Sequence, residues 1–156
     1  MVYVISQNGQ PLMPTENHAK VRILLKNKKA KVIKKCPFTI QLAYDSTNYT
    51  QDITLGVDSG SKHIGLSATT EDKVLFESDV ELRNDIVNLI STRRQNRRTR
   101  RNRKTRYRKP RFNNRKRNDG WLAPSIQNKV NSHLTVVRKV HEILPVSYTH
   151  LTLPTN

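Results

Sequence analysis

ITLGVDSGSKHIGLSATT, from Ile53 to Thr70, is the stretch on which the reading of the fold turns. Its first part, Ile53 to Asp58, is apolar and rich in β-branched residues, and it stops at Asp58-Ser59-Gly60, residue types that favour turns. His63 to Thr70 resumes an extended pattern. After a turn at Glu71-Asp72, Lys73 to Leu82 alternates apolar with polar residues. Three strands joined by tight turns predict an antiparallel meander, with Asp58 at the end of its first strand.

Working outward, Val2 to Ile5 reads as a short strand followed by a turn at Asn8-Gly9. After Pro11-Leu12-Met13-Pro14, Glu16 to Lys28 reads as a basic helix with Ala19, Val21, Leu24 and Leu25 on one side. Ala30 to Ile33 and Phe38 to Tyr44 read as two strands broken at Cys36-Pro37. Downstream, Ser125 is placed to cap a helix whose apolar positions are Ile126, Val130, Leu134, Val137, Val140 and Leu144. Trp121 just before it reads as a packing anchor, ahead of base stacking. The fold class is α/β.

Between the meander and that helix lies most of the charge. The 156-residue chain has a formal net charge of +17, from 29 Lys and Arg against 12 Asp and Glu. Of the 25 residues from Arg93 to Arg117, 15 are basic, and no acid occurs from Ile86 to Asn118. Outside that window, 14 basic residues face 12 acidic ones, so a nearly neutral body bears one cationic rod. A field focused in this way attracts polyanions, of which DNA and RNA are the commonest.

Arg93, Arg94, Arg97, Arg98, Arg100, Arg101 and Arg103 have helical spacing and read as surrounding the helix. Lys104, Arg106 and Arg108 continue the run to Pro110, which should end the helix, and Arg111 follows it. Neighbouring like charges destabilise such a helix in isolation, so polyanion binding is expected to order it. Arginine's planar fork suits phosphate better than lysine's point charge, which favours a nucleic-acid contact over a solvated tail. Tyr107 and Phe112 suit base stacking and anchoring on the body equally. Lys26, Lys28, Lys29, Lys31, Lys34 and Lys35 form a smaller basic group, open to reading as an RNA contact or as a solvated face.

Other classes are disfavoured. The rod has too little apolar surface to lie on a membrane, no run approaches the roughly 20 apolar residues of a transmembrane helix, and no small-molecule site is evident. Residues 1–14 lack the basic start and apolar centre of a signal peptide. A single cysteine, Cys36, allows neither an internal disulfide nor a multi-cysteine zinc site. It fits a reducing, cytoplasmic setting and reads as a small buried hydrophobe.

Three landmarks in order make a family visible: PLMP at Pro11–Pro14, followed by a helix and KKCPFTIQL; GVDSGSKHIG at Gly56–Gly65; and RRQNRRTRRNRKTRYRKPRF at Arg93–Phe112. Together with WLAPSIQNKV at Trp121–Val130, they resemble the amino-terminal part of the IscB family of transposon-encoded, RNA-guided DNA endonucleases. The resemblance extends over residues 1 to about 146. It implies a PLMP-type domain at 1–50, a first RuvC segment of ribonuclease H-like fold at 51–90, an arginine-rich bridge helix at 91–118, and a RuvC continuation at 119–146. The implied partners are guide RNA and target DNA.

Within that resemblance Asp58 aligns with the first metal-binding carboxylate, and the implied cofactor is Mg²⁺, an ion that prefers oxygen ligands. Two such ions about 4 Å apart would activate water and stabilise the leaving oxygen. One carboxylate cannot hold both. The family's second acid lies on a strand just after the Ile126–Leu144 helix, and here no acid follows Glu142. The later RuvC pieces and the HNH domain are not visible either, so the expectation is a catalytically incomplete fragment of an active parent.

Glu77, Asp79 and Glu81 read as a solvated strand edge, and His63 as the polar start of a strand. His18, His133, His141 and His150 are assigned no role. Ser147 to Asn156 carry no charge and resemble translated sequencing-adaptor sequence, so residues 147–156 read as an artefactual tail. A sheet without its later strands should then leave an edge unpaired and the chain poorly soluble. The competing class is a non-catalytic RNA-binding module of ribosomal-protein type, which has no need of an Asp at a strand end before Gly.

Overall fold

The computed structural model describes residues 1–103 and 116–152. These form a mixed α/β structure with two four-stranded mixed sheets and three helices.

The first sheet contains β1 (Val2–Ile5), β2 (Pro11–Thr15), β3 (Ala30–Lys34) and β4 (Thr39–Leu42), in the order β2-β1-β4-β3. β1 is parallel to β4 and antiparallel to β2, and β3 is antiparallel to β4. The strand at Pro11–Thr15 was not expected, because two prolines argue against one. An edge position resolves this, since an edge strand has backbone N–H groups that need no ladder partner.

Helix α1 (His18–Lys26) crosses between β2 and β3. Asn17 caps it, its side chain accepting from the Lys20 amide at 2.9 Å. It ends in a Schellman turn: the Lys29 amide donates to the Leu24 carbonyl, and Lys28 takes a φ of 56° where glycine is usual. Val2, Val4, Leu12, Val21, Ile40 and Leu42 fill the core beneath it. Cys36 is exposed rather than buried, because it falls in the turn between β3 and β4.

The second sheet contains β5 (Thr54–Ser59), β6 (His63–Thr69), β7 (Val74–Glu81) and β8 (Tyr148–Thr152), in the order β7-β6-β5-β8. β5, β6 and β7 form the expected antiparallel meander. The side of β5 expected to be a bare edge is instead covered by β8, which runs parallel to it from Thr54↔Tyr148 to Asp58↔Thr152. The Ser147 and Tyr148 amides both donate to the Ile53 carbonyl and start that ladder. Composition alone gave no reason to expect a strand there.

Helix α3 (Pro124–His141) packs on one face of this sheet. Pro124 occupies the first helical turn, and Ala123 is the N-cap in place of the expected Ser125. The core comprises Ile53, Leu55, Val57, Ile64, Leu66 and Ala68 from the sheet with Val140, Ile143 and Leu144 from the end of α3 and beyond. The predicted apolar stripe is therefore only half used. Ile126, Val130 and Leu134, on the first turns of α3, are exposed.

The two sheets share contacts. β1 is buried throughout, and alternate residues on a strand face opposite ways. Val2 and Val4 belong to the first core, while Tyr3 joins the second. Its hydroxyl donates to the Leu75 carbonyl at 3.0 Å, and burial raises its pKa. Across the surface, Lys34 Nζ lies 2.8 Å from Glu142 Oε2 and holds that carboxyl below its usual range.

Candidate nucleic-acid interface and the Asp58 groove

Helix α2 (Ile86–Asn102) follows the second sheet and begins seven residues before Arg93. Asp85 is its N-cap residue without a capping side-chain bond, since its carboxylate accepts from Arg83 Nε at 2.5 Å and Nη2 at 3.1 Å. Arg83 holds the Asp85 carboxyl low. The helix closes at Asn102, with Arg103 as C-cap. Lys104, Arg106, Tyr107, Arg108, Pro110, Arg111 and Phe112 lie outside the described residues.

No residue of α2 is buried. All seven arginines from Arg93 to Arg103 are exposed. Within α2 itself they cover less than a ring, while Arg103 is the C-cap and residues 104–115 of the rod lie outside the described residues. At about 100° per residue, Arg93, Arg94, Arg97, Arg98, Arg100 and Arg101 fall within roughly half the circumference. Thr92, Gln95, Asn96, Thr99 and Asn102 occupy the other half. Thr92 and Thr99 turn their hydroxyls onto the carbonyls four residues back, at 2.9 and 3.0 Å. Such a one-sided cationic face suits a phosphate backbone lying along it.

Asp58 is exposed near the end of β5. Alternation along β5 sends Leu55 and Val57 into the core and leaves Gly56 and Asp58 on the opposite face. Register places Gly65 beside Asp58, Asp79 beyond Gly65, and Thr152 on the other side. Gly65 gives this face its hollow shape: a Cβ there would sit 3.4 Å from the Cβ of Asp58. The resulting open groove is lined by Gly56, Asp58, Gly65, Ser67, Glu77 and Asp79.

Glu77, Asp79 and Glu81 are exposed on an edge strand as expected, but Glu77 and Asp79 also share the groove with Asp58. His63 begins β6 and turns to Asp79, with Nδ1 3.1 Å from Oδ2. Thr152 stands where β8 passes Asp58, so this neighbouring position supplies a hydroxyl and no acid.

The donor set does not fit a two-ion centre. Among the described residues, no group of three or more His, Cys, Asp or Glu side chains could hold a metal ion. Asp58 suits one hard cation only when waters or phosphate complete its shell.

Sequence reasoning missed His133. From α3 its Nε2 lies 3.3 Å from the Gly60 carbonyl, and its Nδ1 lies 2.8 Å from that of Lys129. The contact ties α3 to the turn after Asp58 across 73 residues, a distance at which no local pattern reveals it. The turn is also closely packed, because a Cβ on Gly60 would run into the His63 carbonyl oxygen. Gly60→Ala is therefore expected to cost about 1–3 kcal/mol, as overpacking does, and to lower Tm in thermal unfolding. An unchanged Tm would show that the turn is looser than described.

One motif inside α2 now acquires a name. Arg97-Arg98-Thr99-Arg100-Arg101 reads Arg-Arg-X-Arg-Arg, and the family model described as "RRXRR protein" matches residues 2–154. The chain belongs to the RRXRR family. The match spans both sheets and all three helices, including β8. No curated protein matches the chain. Family membership associates it with nucleases and with nucleic acid. Among the described residues, no helix is long and apolar enough to cross a membrane.

Proposed function

We propose that this RRXRR chain is the nucleic-acid-binding front part of an RNA-guided DNA endonuclease of the IscB type. The observation that carries the reading is an arginine-faced helix following a sheet whose inner strand β5 carries Asp58 near its end. The RRXRR domain is found in nucleases of this RNA-guided class, which supports the reading. The second sheet, an antiparallel meander with β8 added parallel beside β5, would then be part of a ribonuclease H-like sheet. In this reading residues 1–50 are the PLMP-type domain and 51–90 the first RuvC segment. Residues 91–118 are the bridge helix and 119–146 the RuvC continuation.

The arginine face of α2 would hold the phosphates of the guide RNA and of its heteroduplex with DNA. Phosphate contacts position the protein, while base pairing with the guide reads the sequence. Asp58 would supply one carboxylate to a Mg²⁺ site that needs further acids from outside these 156 residues. Mg²⁺ would there supply Lewis acidity for phosphodiester hydrolysis.

Two measurements test this. The purified chain should co-purify with structured RNA and should leave DNA intact in Mg²⁺. In a complete nuclease containing this segment, guided cleavage of the DNA strand cut at the RuvC site should fall by more than about a hundredfold on Asp58→Ala, the scale of losing a main electrostatic contribution to catalysis. DNA cleavage by the 156-residue chain itself, abolished by Asp58→Ala, would overturn the incomplete site. Cleavage of that strand indifferent to Asp58→Ala would favour a purely RNA-binding role for this segment instead.

A further inference from the structure

Trp121 is the only tryptophan in the chain, and it is not the packing anchor its sequence context suggests. It belongs to neither hydrophobic core and is 47% exposed, whereas tryptophan is on average well buried. The loop before α3 presents it. Trp121 donates its amide to the Asn118 carbonyl at 3.1 Å, and Gly120 between them takes a φ of 74°, a value glycine adopts without strain. Pro124 then starts the helix three residues on. Over the indole ring lies the Arg117 guanidinium, its Cζ 4.4 Å from the ring centroid. Arg117 is the last basic residue of the cationic rod, and Lys116 precedes it. Asp119 is the single acid in the turn.

From this arrangement we propose that Trp121, with Arg117, is a stacking platform for an unpaired nucleobase of a strand bound by the arginine-rich segment, which Trp121 follows in the sequence. The inference rests on the nucleic-acid reading of the arginine segment and adds base contact to it. An exposed indole offers every base a π-face, and a guanidinium stacked on it can reach the adjoining phosphate without leaving the ring. A protein partner could also use an exposed Trp and Arg. The 15 basic residues in the 25 that end at Arg117 favour a strand of nucleic acid.

The lone tryptophan makes the test direct. The chain is titrated with three fluorescently labelled strands of equal length: oligouridylate RNA, oligothymidylate DNA, and an abasic strand with the same phosphates and no bases. Base-bearing strands should quench Trp121 emission and the abasic strand should not, and the stronger quencher identifies RNA or DNA as the natural source of the base. Trp121→Ala should weaken base-bearing strands about tenfold, within the range of one stacked base. It should leave the salt dependence and the abasic affinity unchanged, and Trp121→Phe should restore most of the loss. Circular dichroism establishes that each variant keeps its helices. Equal quenching by the abasic strand, or Trp121→Ala without effect on base-bearing strands, would overturn the platform while leaving phosphate binding intact. Binding to none of the three strands would remove the underlying nucleic-acid reading as well.

Discussion

Replacing Arg93, Arg94, Arg97 and Arg98 together by Gln is expected to weaken RNA binding by roughly 10²–10³-fold at low salt. The four residues lie on one exposed half of α2. A charge-assisted phosphate contact retains about 1 kcal/mol after discounting for solvent and counterions, and four sum to about 4 kcal/mol. The slope of log affinity against log salt should also become shallower by about 3, since each phosphate contact contributes about 0.7–0.9. Thr92→Ala, Gln95→Ala and Asn96→Ala, on the other half, should leave both quantities unchanged. Equal losses from the two halves would mean that the helix is surrounded by nucleic acid, as its sequence first suggests. The assay is fluorescence anisotropy with labelled RNA, with circular dichroism to establish that the helix persists.

The second large effect is expected in the core beneath α3. Leu144 is fully buried among strands β5 and β6 and the end of α3, so Leu144→Ala should cost about 2–5 kcal/mol through lost transfer energy and a cavity. For a chain of this length that corresponds to a Tm lower by roughly 4–20 °C. Leu134→Ala is the informative comparison. Both leucines sit on the same apolar stripe of the sequence, yet Leu134 is 48% exposed. Its loss should stay within about 0.5 kcal/mol, as for a surface substitution. A large loss at Leu134 would mean that the whole stripe is packed.

That pair shows where sequence legibility stopped. Helical periodicity identifies which face of α3 is apolar, but not how much of that face finds a partner. The meander was legible because Ile53 to Leu82 alternates and breaks at turn residues. β2 was hidden by its two prolines, which only an edge position accommodates. β8 was hidden by a break in composition, although its pairing depends on backbone hydrogen bonds that composition does not encode. The start of α2 was hidden because Ile86 to Ile90 is too short an apolar run to declare itself.

The site was legible in the same uneven way. Asp58 and the arginines stood out as a strand-end acid and a charge run. Asp79 was visible only as an alternating edge residue, because its place in the Asp58 groove depends on the β5–β6–β7 register. His133 needed tertiary contact to be noticed, and Trp121 and Cys36 were misjudged because residue type predicts burial only on average.

The measurement closest to the central claim is a salt titration of the unaltered chain with single-stranded RNA. If about six arginines neutralise phosphates, log affinity should fall against log salt with a slope of about −4 to −5. A flat response would contradict the phosphate-binding role of the arginine segment.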